Sequence, residues 1–305
     1  MNVIETDGLG KRYGKSWALL DCSITVPEGS LAALVGPNGA GKTTLMNMAV
    51  GLTVPTEGTV TVLDGQHAGA PAALDEVAFI AQDAPVYKNL SVEDMVHLTK
   101  NLNRRFDQSF ARARLTELDI PLKKKSGKLS GGQQAQVALT MALARRPRLL
   151  ILDEPLSALD PLARQDFMAT VMTTMADEGM TVLLSSHALA ELERAADYLV
   201  VLGGGRLLLT GYVEDLLATH RVLTGPAADA DRCAQRLTVV QDKRAATQAH
   251  LLVRAATADD PVPPGWEAHP VSLEELTLAY LRGHGRPAPR KPAIAKTTEA
   301  TEAAR

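Results

Sequence analysis

Apolar residues in this chain gather into short runs at Leu31 to Val35, Leu149 to Leu152, Thr181 to Leu184 and Leu199 to Leu202. Each run is bounded by turn residues or by a helical pattern, and a run without polar alternation fits a strand covered on both faces. Between the runs the pattern becomes helical. Ser91-Val92-Glu93-Asp94 has the spacing of a capping box, and Gln133 to Arg146 continues without glycine or proline until Pro147 stops it. Strands alternating with helices predict an α/β core with a parallel-rich central sheet. Around Ala18 to Val26 apolar and polar residues alternate up to the turn Pro27-Glu28-Gly29, which predicts a small antiparallel sheet beside the main one.

After about His220 the pattern weakens. Gly225-Pro226-Ala227-Ala228 breaks the chain, and Asp259-Asp260-Pro261 with Pro263-Pro264-Gly265 breaks it again. Residues 1–220 therefore read as the main domain and 221–283 as a small accessory one. The best element of the latter is a helix over Ser272 to Arg282, with Ser272 and Glu275 as a capping box and Val271 and Leu276 at the staple positions. Residues 284–305, rich in Pro, Ala, Lys and Thr, lack an apolar face and read as a disordered tail.

At 305 residues, 46% hydrophobic and 22% charged, the chain fits one large globular domain plus an appendage. A net charge of −3 and 4% aromatics supply neither the basic field nor the stacking platforms of a dedicated nucleic-acid binder, so no nucleic-acid partner is expected. Cys22 and Cys233 stand far apart with no further Cys or His at ligand spacing, which argues against a disulfide framework or metal cluster and fits a reducing cytoplasm. MNVIETDGLGKRYGK has no apolar core of signal-peptide length, and no stretch approaches a membrane span, so any spanning part is expected on another chain.

Gly36-Pro37-Asn38-Gly39-Ala40-Gly41-Lys42-Thr43 has the form G-x-x-x-x-G-K-[ST], follows an apolar strand and leads into the helical stretch Thr44 to Val50. Glycines let backbone N–H groups curl around an anion, and the helix that follows directs its positive end at it. Lys42 adds a mobile charge at the outer phosphates, and Thr43 a hydroxyl for Mg²⁺. Further on, Leu149 to Pro155 ends a buried strand on two carboxylates, where open α/β sheets present their ligand sites. Asp153 is placed to hold the metal through water, and Glu154 to act as base or orienting group for an attacking water.

Leu129-Ser130-Gly131-Gly132-Gln133 precedes the long helix and forms a second glycine-rich anion site at a helix N-terminus. One nucleotide does not need two such cradles. A head-to-tail pair of subunits, each closing its second cradle on the partner's nucleotide, resolves the surplus and predicts a dimer. Lys123-Lys124-Lys125 with Lys128, just ahead, is either a solvated loop or a surface for anionic headgroups or an acidic partner loop.

With these motifs in this order the chain resembles the ATP-binding cassette (ABC) family, in which LSGGQ is the signature sequence, over about Ile4 to Leu217. The resemblance implies a P-loop NTPase core with a small antiparallel β subdomain and a helical subdomain, ATP and Mg²⁺ as ligands, and hydrolysis of ATP. It further implies that Tyr13 stacks on adenine, that Gly36 to Thr44 is the Walker A loop, and that Asp153 and Glu154 form Walker B. Gln82 matches the glutamine that reaches the metal and links the site to the membrane partner. Ser157-Ala158-Leu159-Asp160 matches the loop that crosses between subunits, and His187 the switch histidine at the γ-phosphate. Gln134 stands where many relatives carry a basic residue.

The implied protein is the ATPase subunit of a membrane transporter, a homodimer on the cytoplasmic face of the membrane, bound to separate integral-membrane permease subunits. A mechanical ATPase of DNA maintenance would need a long coiled coil between Lys42 and Ser130, and only 88 positions separate them. A translation-associated relative would carry two cassettes; a soluble single-cassette regulatory role is the alternative. The segment from Ser185 to Glu193, the Gly203-Gly204-Gly205 turn and an appendage ending in Glu274-Glu275-Leu276 look like bacterial exporter cassettes, so export is the expected direction.

Overall fold

The computed structural model describes residues 1–82, 86–157, 159–186, 192–255 and 260–283. The expected disordered tail, 284–305, lies outside them. The antiparallel sheet is built from β1 (Asn2–Tyr13), β2 (Ser16–Cys22), β3 (Thr25–Pro27), β5 (Glu57–Val62) and β6 (Gln66–His67), with β1 pairing to β2, β3 and β5. The alternating segment over 18–26 is divided between two strands. Ile24 gives its N–H to the Thr6 hydroxyl at 2.9 Å rather than to a strand carbonyl, and the ladder breaks there.

The main sheet has the order β11 (Arg206–Tyr212), β10 (Tyr198–Gly203), β4 (Leu31–Val35), β9 (Thr181–Ser186), β8 (Leu149–Asp153), β7 (Val77–Ile80). Neighbours run parallel except β11, which is antiparallel to β10. β4, β8, β9 and β10 are buried at every position, as their unbroken apolar runs require of a sheet covered on both sides. Each fully buried Val, Leu or Ile there contributes roughly 1.5–3 kcal/mol of transfer free energy.

Helix α1 (Lys42–Ala49) follows β4, and α2 (Pro71–Glu76) precedes β7. The helices α3 (Val92–Leu102), α4 (Gln108–Glu117) and α5 (Gly131–Leu143) share a core around Val92, Val96, Leu115 and Val137, while Leu139 and Leu143 of α5 join the core of the main sheet. Ser91 and Asp94 form the expected capping box of α3. The uninterrupted stretch 133–146 does not coincide with α5. The helix starts earlier because the Ser130 hydroxyl accepts from the Gln133 N–H, placing both glycines inside the first turn. It ends earlier because Arg146 takes a left-handed φ of 52° before Pro147, which disfavours a helical residue in front of it. α6 (Pro161–Glu178) leads into β9.

Beyond α7 (Val213–Ala218) a second antiparallel sheet of order β13 (Thr238–Arg244), β14 (Gln248–Arg254), β12 (His220–Pro226), β15 (Glu267–Pro270) packs with α8 (Ala230–Ala234) around Leu223, Leu251, Val253 and Trp266. A Cβ at Gly225 would lie 2.3 Å from the Trp266 ring, so only glycine admits this packing. α9 (Leu273–Arg282), with the expected Ser272–Glu275 box, instead buries Leu273, Leu276 and Ala279 in the cluster that holds Leu150, Leu152 and Leu184 of the main sheet. At the join His220 is 2% exposed; its Nδ1–H donates to the Leu216 carbonyl at 2.7 Å and its Nε2 accepts from the Tyr280 hydroxyl at 2.9 Å. Burial pushes the imidazole pKa below its ordinary value. Among the described residues no helix is long and apolar enough to cross a membrane.

Candidate active site

Parallel pairing brings three strand ends together. Leu34 of β4 stands opposite Ser185 of β9, and Ser185 opposite Asp153 of β8, so the phosphate loop, the two carboxylates and the end of β9 share one edge of the sheet. Gln82 lies two residues past β7, whose Ile80 pairs with Leu152. Ligands bind at this carboxyl edge in open α/β sheets.

The loop after β4 has little steric freedom. A Cβ on Gly36 would sit 2.3 Å from the Leu202 carbonyl, and one on Gly41 would sit 2.6 Å from the Ala18 carbonyl at a φ of 101°. Gly39, at φ 80°, faces open space. The loop encloses a cavity of about 680 Å³ lined by Asn38, Gly39, Ala40, Gly41, Lys42, Thr43 and Thr44, together with Ala18, Gln82 and Glu154. Lys42 is 5% exposed; its Nζ donates to the Gly36 carbonyl at 2.8 Å and lies 3.5 Å from that of Pro37. The same ammonium is 3.3 Å from Glu154 Oε1.

Glu154 adopts a left-handed φ of 47°, which costs an L-residue roughly 1–2 kcal/mol. Its N–H donates to Ser185 Oγ at 2.8 Å and its carbonyl accepts from Ser157 Oγ at 2.9 Å, holding the kink. Asp153 is 1% exposed; Oδ1 accepts from Ser185 Oγ at 2.7 Å, while Oδ2 is buried without a hydrogen-bond partner. A buried carboxylate oxygen left this way is costly unless a cation or its water completes it. Thr43 and Gln82 line the cavity, and with Asp153 they offer oxygen donors of the kind that suit Mg²⁺.

Other expected residues are elsewhere. Tyr13 is 53% exposed and does not line the cavity; Lys11 Nζ lies 5.3 Å from its ring centroid. Ser130, Gly131, Gly132 and Gln133 form the capped N-terminus of α5, where Gln133 Oε1 accepts from the Ser130 N–H at 3.2 Å, and none of them lines the cavity. Asp160 caps α6 through the Ala163 N–H at 2.9 Å and is exposed. His187 and Ala158 lie outside the described residues. Two residues at the site, Ala18 and Ser185, are not among those the sequence motifs assign to it. Ala18 shows its carbonyl to Gly41 and leaves no signal, and Ser185 sits one step past an apolar run whose partner strand is not legible locally.

The family model for ABC transporters matches residues 19–157. The thiamine import ATP-binding protein ThiQ of Shigella flexneri serotype 5b is 35% identical over 201 residues, covering 64% of this chain and 87% of ThiQ. The Fe(3+) ions import ATP-binding protein FbpC of Pseudomonas fluorescens is 37% identical over 218 residues, covering 69% of this chain and 62% of FbpC. Among solved structures, an ATP-binding subunit of an ABC transporter superposes with a TM-score of 0.63 at 28% identity, covering 70% of this chain and 91% of that one. Both curated relatives bear the names of import proteins, so the expectation of export finds no support in them.

Proposed function

This chain belongs to the family of ABC transporter ATP-binding subunits and is an ATPase, and from that premise we propose that two copies form an ATP-driven clamp that moves a separate membrane-spanning permease. The observation that carries the clamp is the separation of the two glycine-rich cradles: the cavity at Lys42 and Glu154 is lined by no residue of Ser130 to Gln133. A second copy brings its signature to the open side of that cavity, and the two nucleotides lie in the interface.

In this reading the backbone of Gly36 to Gly41 and the N-terminus of α1 hold the phosphate chain. Lys42, already desolvated, transfers its attraction from Glu154 to the terminal phosphate. Glu154 then orients a water and takes its proton as the new oxygen–phosphorus bond forms, the bond to the β-phosphate oxygen breaks and its electron pair leaves with ADP. Thr43, Gln82 and, through water, Asp153 would hold Mg²⁺, which neutralises charge on the phosphate oxygens when bound. Tyr13 is assigned to the adenine, Asp160 to the contact between subunits and His187 to the γ-phosphate on resemblance.

Residues 1–220 are the motor in this scheme and 221–283 an appended unit, with the subunit held at the cytoplasmic face of the membrane by its permease. The cassette's cycle is the same for import and export, so direction belongs to the permease. The names of the relatives favour import, and uptake against efflux by vesicles carrying the assembled complex separates the two. Purification of the tagged chain from detergent-solubilised membranes tests the proposal: an integral-membrane subunit that co-purifies and stimulates ATP hydrolysis is expected. A chain that remains in the soluble fraction, with activity indifferent to membranes, overturns it in favour of a soluble regulatory ATPase.

A further inference from the structure

Resting on the roles proposed for Asp153 and Glu154, we infer that Ser185 is a positioning residue whose single buried hydroxyl sets both carboxylates of the site. A serine hydroxyl has one proton to give and lone pairs to receive. Asp153 Oδ1, 2.7 Å away, can only accept, so the proton goes there; the Glu154 N–H, 2.8 Å away, can only donate, so it enters the lone pair. Both bonds therefore have one direction, and Ser185 has no exposed surface through which water could compete.

The placement follows from the sheet. Ser185 lies between Leu34 and Asp153 in the parallel register, so its position is fixed by backbone on both sides. By occupying Oδ1 it leaves Oδ2 as the Asp153 oxygen without a hydrogen-bond partner, the one that would be left to a metal-bound water. By accepting from the Glu154 amide it anchors the residue that carries the left-handed φ of 47° and brings a carboxylate to 3.3 Å from Lys42. The run Thr181 to Leu184 ahead of it is buried and mostly apolar, and a hydroxyl placed next in that environment is costly unless both of its functions are used. Here both are.

The test compares Ser185→Ala and Ser185→Thr with wild type. Ser30→Ala serves as control, since Ser30 is a 5% exposed serine at the opposite end of β4 whose hydroxyl donates to the Pro27 carbonyl at 2.7 Å. Partners one step from a metal typically tune affinity or activity by about 10- to 100-fold. Ser185→Ala is expected to raise the Mg²⁺ concentration for half-maximal hydrolysis and to lower kcat, each by a factor in that range. A readout besides activity is equilibrium binding of a fluorescent ATP derivative: its affinity in excess EDTA stays at the wild-type value, while the gain on adding Mg²⁺ shrinks by about tenfold. Ser185→Thr, which keeps the hydroxyl, and Ser30→Ala retain the wild-type Mg²⁺ response.

A wild-type Mg²⁺ requirement and kcat in folded Ser185→Ala overturns the assignment. If the alanine variant does not fold, Ser185→Cys replaces it, and a Mg²⁺ requirement unchanged by this weaker donor is the overturning result. Asp153→Asn separates the two layers. If that variant leaves the Mg²⁺ requirement unmoved, the reading of the carboxylates is wrong; if it moves it and Ser185→Ala does not, only the role of Ser185 is wrong.

Discussion

The ammonium of Lys42 lies 3.3 Å from the carboxylate of Glu154, with 5% and 10% of the two side chains exposed. This pairs the cation assigned to the outer phosphates with the group assigned to the water. On the roles proposed for them, a polyphosphate entering the cavity would compete with Glu154 for Lys42. Glu154→Gln removes the charge but keeps the shape. ATP affinity, measured by equilibrium titration, should be equal to or tighter than wild type, hydrolysis should fall by about 10²- to 10⁴-fold, and the ATP-bound dimer should accumulate on a sizing column. Near-normal turnover would remove Glu154 from its role.

Ser130 caps α5 and does not line the cavity, so a bulky cation there should leave nucleotide binding to one copy intact. Ser130→Arg is expected to bind ATP as wild type does and to remain monomeric with ATP present, with hydrolysis reduced to background. Simultaneous loss of binding and dimerisation would show that the signature acts within its own chain.

Gly41 cannot carry a side chain without moving the Ala18 backbone or the Leu19 side chain, which a Cβ would approach to 2.6 and 2.7 Å. Its φ of 101° is also unfavourable for alanine. Gly41→Ala should abolish measurable ATP binding with the circular dichroism of the folded chain preserved, whereas Gly39→Ala, which meets only open space and a φ of 80°, should be the milder change. Equal effects of the two on ATP affinity would rule out steric closure of the loop as the cause.

His220 titrates below its ordinary value because burial disfavours the charged ring. Unfolded, the side chain titrates at about 6.5. Below that pH the unfolded chain takes the proton first, so this contribution to stability is complete above about pH 6.5 and declines as pH falls toward the folded pKa. Thermal midpoints recorded from about pH 8 to about pH 5 should decline less steeply in His220→Phe than in wild type over the acid half of the range. Tyr280→Phe, which leaves Nε2 without its donor, should cost about 1 kcal/mol at neutral pH. Identical acid slopes in wild type and His220→Phe would exclude His220 as the titrating group.

Much of the fold is legible in the order of residues alone. The four apolar runs form β4, β8, β9 and β10, and the Ser91 and Ser272 boxes cap α3 and α9, because these signals reside in neighbouring residues. β1 leaves no such signal, since Gly8 and Gly10 interrupt its alternation and its three partners are supplied from elsewhere in the chain. The helix over 272–282 looks like part of an accessory unit in the sequence, yet its apolar face closes the main core, a choice of partner that periodicity does not encode.

The sequence by itself determined what the chain binds: a glycine loop ahead of a helix, with Lys42 and Thr43 at its end, is local chemistry, and the order of motifs specified the family. Tertiary structure decided how those residues are held. Lys42 meets Glu154 and Ser185 meets Asp153 across long intervals of chain, and only the register of parallel strands fixes such pairs. Steric fit acts the same way at Gly41, whose lack of a side chain is explained by the carbonyl of Ala18 on a different sheet. Contacts of this kind carry no periodic signature, because each depends on which backbone happens to lie opposite once the core has closed.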